Sequence, residues 1–155
     1  MNDAAKKVLC RLQNLCAKQE CCSADMLQKA LKALDFDRQA AEEVVAALVK
    51  DGYVDDARYA AAFAREKASI TGWGPVKIKF ALAGKGIKGE AVEAALAEID
   101  DERADAKLRK LLENKWKTLA EDPQGKLKLI KFALSRGYEY DQVKNAIQDL
   151  HNTPQ

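Results

Sequence analysis

The stretch Ile87-Lys-Gly-Glu-Ala-Val92-Glu-Ala-Ala-Leu96-Ala-Glu-Ile99 decides the fold, because its apolar residues return elsewhere in the chain at a fixed distance. Val92, Leu96 and Ile99 follow Ile87 at positions that share one face of a helix with about 3.6 residues per turn. Fifty-one residues away on either side, the same pattern recurs in two sets: Phe36, Ala41, Val45 and Leu48, and Tyr138, Val143, Ile147 and Leu150. The sequence therefore predicts three copies of one amphipathic unit.

The repeat extends upstream of these helices, where Ser23-Ala24 and Gly74-Pro75 occupy matching places. Serine suits the N-cap of a helix, and proline suits the first helical position, so both predict a helix start. In the third copy, Gly125–Leu134 echoes Gly74–Leu82 with a one-residue slip.

Each unit also opens with an apolar stretch of helical periodicity, so each is predicted to contain three helices. Acidic pairs at Asp55-Asp56 and Asp100-Asp101 suit the positive ends of the helices that follow. With only 3 prolines and 8 glycines among 155 residues, the composition also favours helices. The predicted fold is all-α, with tandem three-helix repeats over residues 1–54, 55–100 and 101–155 that form an elongated, curved array.

The net charge of +2 conceals a basic middle segment. Between Arg58 and Lys88 there are seven basic residues and one acid, Glu66, which gives this segment a charge of +6. The rest of the chain holds 19 basic and 23 acidic residues and therefore carries −4. Such a concentration of positive charge predicts a surface for phosphate groups or for an acidic protein groove.

Helical spacing separates the core of this segment from its outer surface. Ile78 and Leu82 are the expected core pair of their helix, while Lys77 and Lys85 lie on an outer stripe. Trp73, in the preceding loop, either stacks on a base or a partner or fixes the loop onto the core. The candidate binding residues are Arg58, Arg65, Lys67, Trp73, Lys77, Lys79, Lys85 and Lys88.

Three motifs of the middle unit resemble the second repeat of the RecX family. They are Asp55-Asp56-Ala-Arg58-Tyr59-Ala60-Ala-Ala-Phe63-Ala-Arg65-Glu-Lys67, then Trp73-Gly74-Pro-Val-Lys77-Ile78-Lys79, and finally Leu82-Ala-Gly-Lys85-Gly86-Ile87. In that family an acidic pair precedes a helix with Arg, an aromatic residue, Ala and Phe, and a loop leads to a Lys-Ile helix that ends near a Lys-Gly turn. The three-repeat plan extends the resemblance to the whole chain.

The resemblance implies a regulator that binds the RecA filament and modulates its recombinase and ATPase activities, with inhibition as the expected direction, in DNA repair, recombination and the SOS response. It also implies contact with the backbone of single- or double-stranded DNA and no catalytic activity. Two alternatives stay open. A stand-alone nucleic-acid-binding module would require a recognition helix rich in Arg, Asn or Gln, whereas the basic residues here are mostly lysine. A helical-repeat scaffold would not require the basic middle.

The cysteines and the single histidine give little support to an enzyme or a metal site. Cys10, Cys16, Cys21 and Cys22 lack the paired spacing of zinc ligands, and His151 stands far from them in the sequence. The acidic pairs fit helix capping better than Mg²⁺ binding. We therefore expect no enzymatic activity, no metal and no cofactor.

The location of the protein is predicted from what the sequence lacks. No apolar run reaches the roughly 20 residues of a membrane span, and the first residues lack the apolar region of a signal peptide. Four cysteines without a secretion signal suit a reducing compartment. We expect a cytoplasmic protein without membrane contact, and a monomer, because no apolar heptad seam is evident.

Overall fold

In a computed structural model that describes residues 1–152, every regular element is helical. The prediction of an all-α chain with three successive three-helix repeats is confirmed. A five-residue π-helical segment, Lys67–Thr71, follows α4. The helices of the first repeat are α1 (Asp3–Lys18), α2 (Ser23–Ala33) and α3 (Arg38–Lys50); those of the second are α4 (Asp56–Glu66), α5 (Pro75–Gly84) and α6 (Glu90–Ala97); those of the third are α7 (Asp101–Leu119), α8 (Gly125–Ser135) and α9 (Tyr140–Asn152).

Acidic and amide side chains cap several of these helices, as the sequence predicts for the two acidic pairs. The carboxylate of Asp55 accepts a hydrogen bond from a backbone N–H in the first turn of α4 at 3.1 Å, and that of Asp100 accepts two in α7. Asn2 and Asp37 do the same for α1 and α3. Each cap satisfies backbone donors that the helix itself leaves unpaired.

The start of α2 differs from its prediction, whereas α5 begins at Pro75 as expected. Ser23 is the first helical residue and not the N-cap, which is Cys22. The backbone N–H of Ser23 donates to the carboxylate of Asp56 at 2.8 Å. An acid from α4 thus satisfies a free N–H of α2, so the serine hydroxyl is not needed as a cap.

The buried positions of α5 and α8 keep the interval of 51 without interruption. Ile78 and Leu129 are both buried, as are Leu82 and Ala133, whereas Leu134 is exposed to solvent. A one-residue slip would turn α8 by about 100° around its axis and would match Leu134 with the buried Leu82. The slip predicted from the sequence is therefore wrong.

The first repeat departs from the other two at Phe36. Ile87 and Tyr138, which follow at intervals of 51, are each 3% exposed, whereas Phe36 is 70% exposed. In the later repeats a glycine with positive φ precedes the buried residue, but Asp35 and Phe36 themselves have φ angles of 52° and 64°. Two successive residues in the left-handed region leave Phe36 outside the core, so it does not share the buried position that the repeat predicts.

The helices pack as two compact units, each with its own core. The first unit contains residues 1–62 and 82–92, and the second contains residues 63–81 and the chain from Glu93 onward. Large buried side chains of the first core include Val8, Leu12, Met26, Val44 and Leu48. Those of the second core include Leu108, Leu112, Leu129, Val143 and Ile147. The repeat boundaries given above stay a prediction.

Candidate binding site

The eight candidate residues are divided between the two compact units. Arg58, Lys85 and Lys88 belong to the first unit, and Arg65, Lys67, Trp73, Lys77 and Lys79 belong to the second. Within the second unit, three of them meet at the indole ring of Trp73, and we call this group, with Phe63, the Trp73 cluster.

The Trp73 cluster holds two lysines on one aromatic side chain. The Nζ atom of Lys67 lies 4.9 Å from the centre of the Trp73 ring, and that of Lys77 lies 4.6 Å from it. Phe63 meets the indole edge-to-face, with ring centres 6.1 Å apart. Lys67 also lies 5.5 Å from the centre of the Phe63 ring. Each cation is attracted to the electron-rich ring face, so the two lysines are positioned before any ligand arrives.

The backbone around Trp73 has an unusual path that sets this geometry. The π-helical segment ends at Gly72, whose φ of 76° lies in the left-handed region. The N–H of Trp73 then donates to the carbonyl of Lys67 at 2.8 Å. Pro75 starts α5 two residues later and brings Lys77 next to the indole. π-Helical turns are often found at functional sites, which makes this loop a reasonable candidate.

Tyr138 of the third repeat holds this loop through a hydrogen bond. Its buried hydroxyl donates to the carbonyl of Gly72 at 3.0 Å, and burial raises the pKa of the phenol. The sequence showed Tyr138 only as an apolar repeat position equivalent to Ile87. The available signal was the hydroxyl itself, since a buried tyrosine usually finds a hydrogen-bond partner.

Two glycines allow the third repeat to approach the start of α5 closely. The N–H of Gly74 donates to the carbonyl of Arg136 at 2.7 Å, and the N–H of Val76 donates to that of Gly137 at 2.9 Å. A Cβ atom on Gly74 would lie 2.5 Å from the Gly137 carbonyl oxygen, and one on Gly137 would collide with Lys77. Only glycine at both positions permits this contact, which also holds Lys77 in place.

Arg65 and Lys79 are less tightly held than the lysines of the Trp73 cluster. Arg65 lies 3.3 Å from Glu98, and Lys79 lies 3.7 Å from Glu93, in pairs that are exposed to solvent. Such pairs contribute little to stability, so both cations can exchange partners at low cost. Arg65 also lines an open pocket of about 410 Å³ together with Arg103 and Lys107. Sequence reasoning missed these two cations because they lie outside the basic segment.

Arg58 is engaged by residues of the first unit. Its guanidinium lies 2.6 Å from the Glu20 carboxylate and also donates to the carbonyl of Gly52 at 3.0 Å. The hydrogen bond with Glu20 raises the pKa of the arginine. A phosphate would have to compete with this acid for Arg58.

Lys85 is also paired with an acid, whereas Lys88 lies on the surface. The Nζ atom of Lys85 donates to both carboxylate oxygens of Asp25, at 2.8 and 2.9 Å. This interaction raises the pKa of Lys85. Lys88 is exposed in the turn before α6. Of the three candidate cations in the first unit, two therefore already have carboxylate partners.

Three of the four cysteines are buried thiols. Cys16, Cys21 and Cys22 are buried, and Cys10 is exposed. Burial, with a contribution from Cys21, raises the pKa of Cys16 to about 12, so this thiol stays protonated at neutral pH. Within residues 1–152, no three side chains of the usual ligand types lie together, and the His151 side chain is outside the described part.

Two protein-family models match the sequence. The family model of the second three-helix domain of RecX matches residues 55–96, and the family model of the third three-helix domain of RecX matches residues 101–147. Together the two matches cover more than half of the chain. The chain belongs to the RecX family. The resemblance seen in the middle repeat is thereby confirmed, and it extends to the third repeat.

Curated relatives carry the name regulatory protein RecX. The one from Clostridium botulinum is 30% identical over 121 residues, which cover 76% of this chain and 56% of the relative. The one from Bacillus thuringiensis is 27% identical over 126 residues, which cover 80% of this chain and 47% of the relative. The chain thus spans about half the length of the curated relatives it matches.

Solved RecX structures share the fold. The crystal structure of RecX from Lactobacillus salivarius has a TM-score of 0.82 at 24% sequence identity and covers 99% of this chain and 100% of that one. A second crystal structure, of regulatory protein RecX, has a TM-score of 0.81 at 22% identity and covers 92% of this chain and 72% of that one. The three-helix repeats are therefore a shared architecture of these proteins.

No helix within residues 1–152 is both long and apolar enough to cross a lipid bilayer.

Proposed function

We propose that this RecX-family chain binds the RecA–DNA filament and inhibits its recombinase and ATPase activities in DNA repair and recombination. The observation that carries the proposal is the Trp73 cluster within a chain of this family. Two lysines are held on one indole, in a loop fixed by Tyr138, in the part of the sequence where positive charge is concentrated.

The chemistry of this cluster suits the phosphate backbone of DNA in such a filament. Lysine binds phosphate as a point charge and does not distinguish bases, so contact by Lys67 and Lys77 requires no particular sequence. The rings of Trp73 and Phe63 hold these lysines in position, which lowers the entropy lost on binding. We expect either single- or double-stranded DNA to satisfy this contact.

We propose inhibition as the direction, because a bound chain would favour the one filament state that it binds best. A ligand that binds one state of a cycling assembly better than the others shifts the population toward that state. A filament held in the state that binds this chain would pass more slowly through the steps of ATP turnover and strand exchange. We expect the protein to act as a cytoplasmic monomer, where RecA assembles on DNA.

The test adds the purified chain to RecA assembled on single-stranded DNA and follows ATP turnover. The wild-type chain should slow turnover, and Lys67→Glu with Lys77→Glu should raise the half-inhibitory concentration at least about tenfold, about 1.4 kcal/mol of binding. Lys110→Glu with Lys117→Glu is the matched control, since both lysines are exposed on α7 and the charge change is equal. No effect of the wild-type chain on turnover would exclude the proposal.

A stand-alone nucleic-acid-binding module is the second candidate, and the same Trp73 cluster supports it. That protein would bind DNA with strong salt dependence, because lysine–phosphate contacts release counterions. It would change RecA turnover only at concentrations that cover the DNA. Binding to labelled DNA without RecA, measured beside the turnover assay, separates the two candidates.

A further inference from the structure

α8 and the part of α5 that lies in the second unit expose apolar side chains to solvent. On α5, Val76 is 51% exposed and Phe80 is 80% exposed; on α8, Leu127 is 50% exposed and Leu134 is 41% exposed. We call these four residues the α5/α8 face. Val76 and Phe80 are four residues apart and Leu127 and Leu134 are seven apart, so each pair lies on one side of its helix. Exposed apolar patches often mark a binding surface.

The face recurs in the repeat register only at Val76 and Leu127, because Phe80 matches Lys131 and Leu134 matches Ala83. Val76 and Leu127 are 51 residues apart, on helices whose opposite sides are buried through Ile78 and Leu129. The second helix of the first repeat places Asp25, Lys29 and Lys32 at the positions of Val76, Phe80 and Ala83. The apolar outer surface is therefore a property of the second and third repeats, and the fold of the unit does not require it.

The charges that α5 and α8 themselves carry all have one sign, and Lys79 is paired with Glu93 of α6. Neither α5 nor α8 contains an acidic residue. On α5, Lys77 and Lys79 flank the line between Val76 and Phe80, and on α8 Lys131 lies between Leu127 and Leu134. A partner surface that carries apolar side chains among carboxylates would complement both properties.

The two helices are joined where their exposed residues begin. The N–H of Val76 donates to the carbonyl of Gly137 at 2.9 Å, and the N–H of Gly137 donates to that of Leu134. The first turn of α5 is thus held by the backbone of Gly137, two residues beyond the end of α8. This contact fixes the start of α5, so the helix does not have to be ordered when a partner binds, which lowers the cost of binding.

We propose that the α5/α8 face is a docking surface for a protein partner with an acidic, partly apolar surface. Within the proposed function, on which this inference rests, that partner is the recombinase protein of the filament. Three of the four side chains are aliphatic and cannot stack on bases, whereas aliphatic contacts are usual in protein interfaces. The Trp73 cluster would contact DNA, and the α5/α8 face would contact protein.

The test uses Val76→Gln with Phe80→Gln, and separately Leu127→Gln with Leu134→Gln. Glutamine is a good helix former, and these positions are exposed, so circular dichroism melting should be nearly unchanged. Each pair should raise the half-inhibitory concentration for RecA turnover at least about tenfold, about 1.4 kcal/mol of binding. Affinity for a labelled single-stranded oligonucleotide without RecA should stay within about twofold, because that contact is assigned to the Trp73 cluster.

Phe36→Asn supplies the matched control. Phe36 is also a largely exposed phenylalanine, in the first unit, and asparagine tolerates its positive φ. This variant should inhibit like the wild-type chain. Unchanged inhibition by both glutamine pairs would overturn the docking surface while the proposed function stands. Equal loss of oligonucleotide binding would overturn it by making nucleic acid the occupant. An inactive wild-type chain would reject the proposed function and this partner with it.

Discussion

The contacts that join successive repeats differ at matching positions. Between the first and second repeats, Lys85 pairs with Asp25 through side chains that are partly exposed. Fifty-one residues on, the corresponding positions are Arg136 and Val76, and there the backbone makes the contact, with Gly137 against the start of α5. The same topology is thus held once by ionic side chains and once by close backbone packing. The first contact should respond to salt, and the second should respond to added side-chain volume.

Adding a methyl group at the second contact should have the largest effect. Gly137→Ala requires an L-residue at a φ of 91° and places Cβ against Lys77. The left-handed conformation costs about 1–2 kcal/mol and overpacking about 1–3 kcal/mol, so we expect a loss of roughly 3 kcal/mol in urea unfolding.

Gly86→Ala is the control for this variant. Gly86 lies 51 residues earlier, has a φ of 75°, and would place its Cβ more than 4 Å from any neighbour. Gly86→Ala should lose only the stability that the left-handed conformation costs an L-residue, about 1–2 kcal/mol. Equal losses of stability in the two variants would show that the close packing at Gly137 adds no cost beyond the conformational one.

Removal of the Tyr138 hydroxyl should have a smaller effect. Tyr138→Phe leaves the carbonyl of Gly72 without its buried donor, which should cost about 1–2 kcal/mol. In a Trp116→Phe background, the emission of Trp73 should also change, because its loop loses this support. Tyr140→Phe, on an exposed tyrosine, should change neither quantity. An unaltered Trp73 emission in Tyr138→Phe would show that the third repeat does not position the loop.

The ionic contact should contribute least to stability at neutral pH. A double-mutant cycle with Asp25→Asn and Lys85→Gln should give a coupling energy below about 1 kcal/mol. Because part of each side chain is exposed, the coupling should decline further in about 1 M salt. A coupling of several kcal/mol that salt leaves unchanged would contradict the proposed difference.

The stability that Tyr138 contributes should also depend on pH in the alkaline range, and the expected change is small. Burial raises the pKa of Tyr138 above its unfolded value of 10.0. Its contribution is therefore complete below pH 10 and is lost as the pH rises through the folded pKa. The difference in the free energy of unfolding between the wild type and Tyr138→Phe, measured between about pH 8 and pH 11, should decline only at the alkaline end. A difference that grows with pH would mean that the folded protein favours the phenolate.

The sequence predicted the helices well because the core repeats with a constant interval. Buried pairs such as Val92 and Val143 fix that interval, and local apolar periodicity is enough to detect it. Phe36 escaped prediction because its exposure depends on two φ angles, which residue type sets only weakly outside glycine.

The candidate site was predicted only in part, for a different reason. Lys67, Trp73 and Lys77 were found from charge and motif, but their positions depend on Tyr138, which is distant in sequence. Arg58 and Lys85 looked like the other cations until the structure placed Glu20 and Asp25 beside them. Long-range partners of this kind leave no periodic signal in one sequence.

The central claim is that the two lysines of the Trp73 cluster bind the filament, whereas Arg58 and Lys85 chiefly join helices of the first unit. The most direct measurement compares Lys67→Gln with Lys77→Gln against Arg58→Gln with Lys85→Gln in RecA turnover on single-stranded DNA. Both pairs remove the same charge. We predict a rise in half-inhibitory concentration of at least about tenfold for the first pair and less than about threefold for the second, about 1.4 and 0.6 kcal/mol of binding. The opposite order would contradict the account.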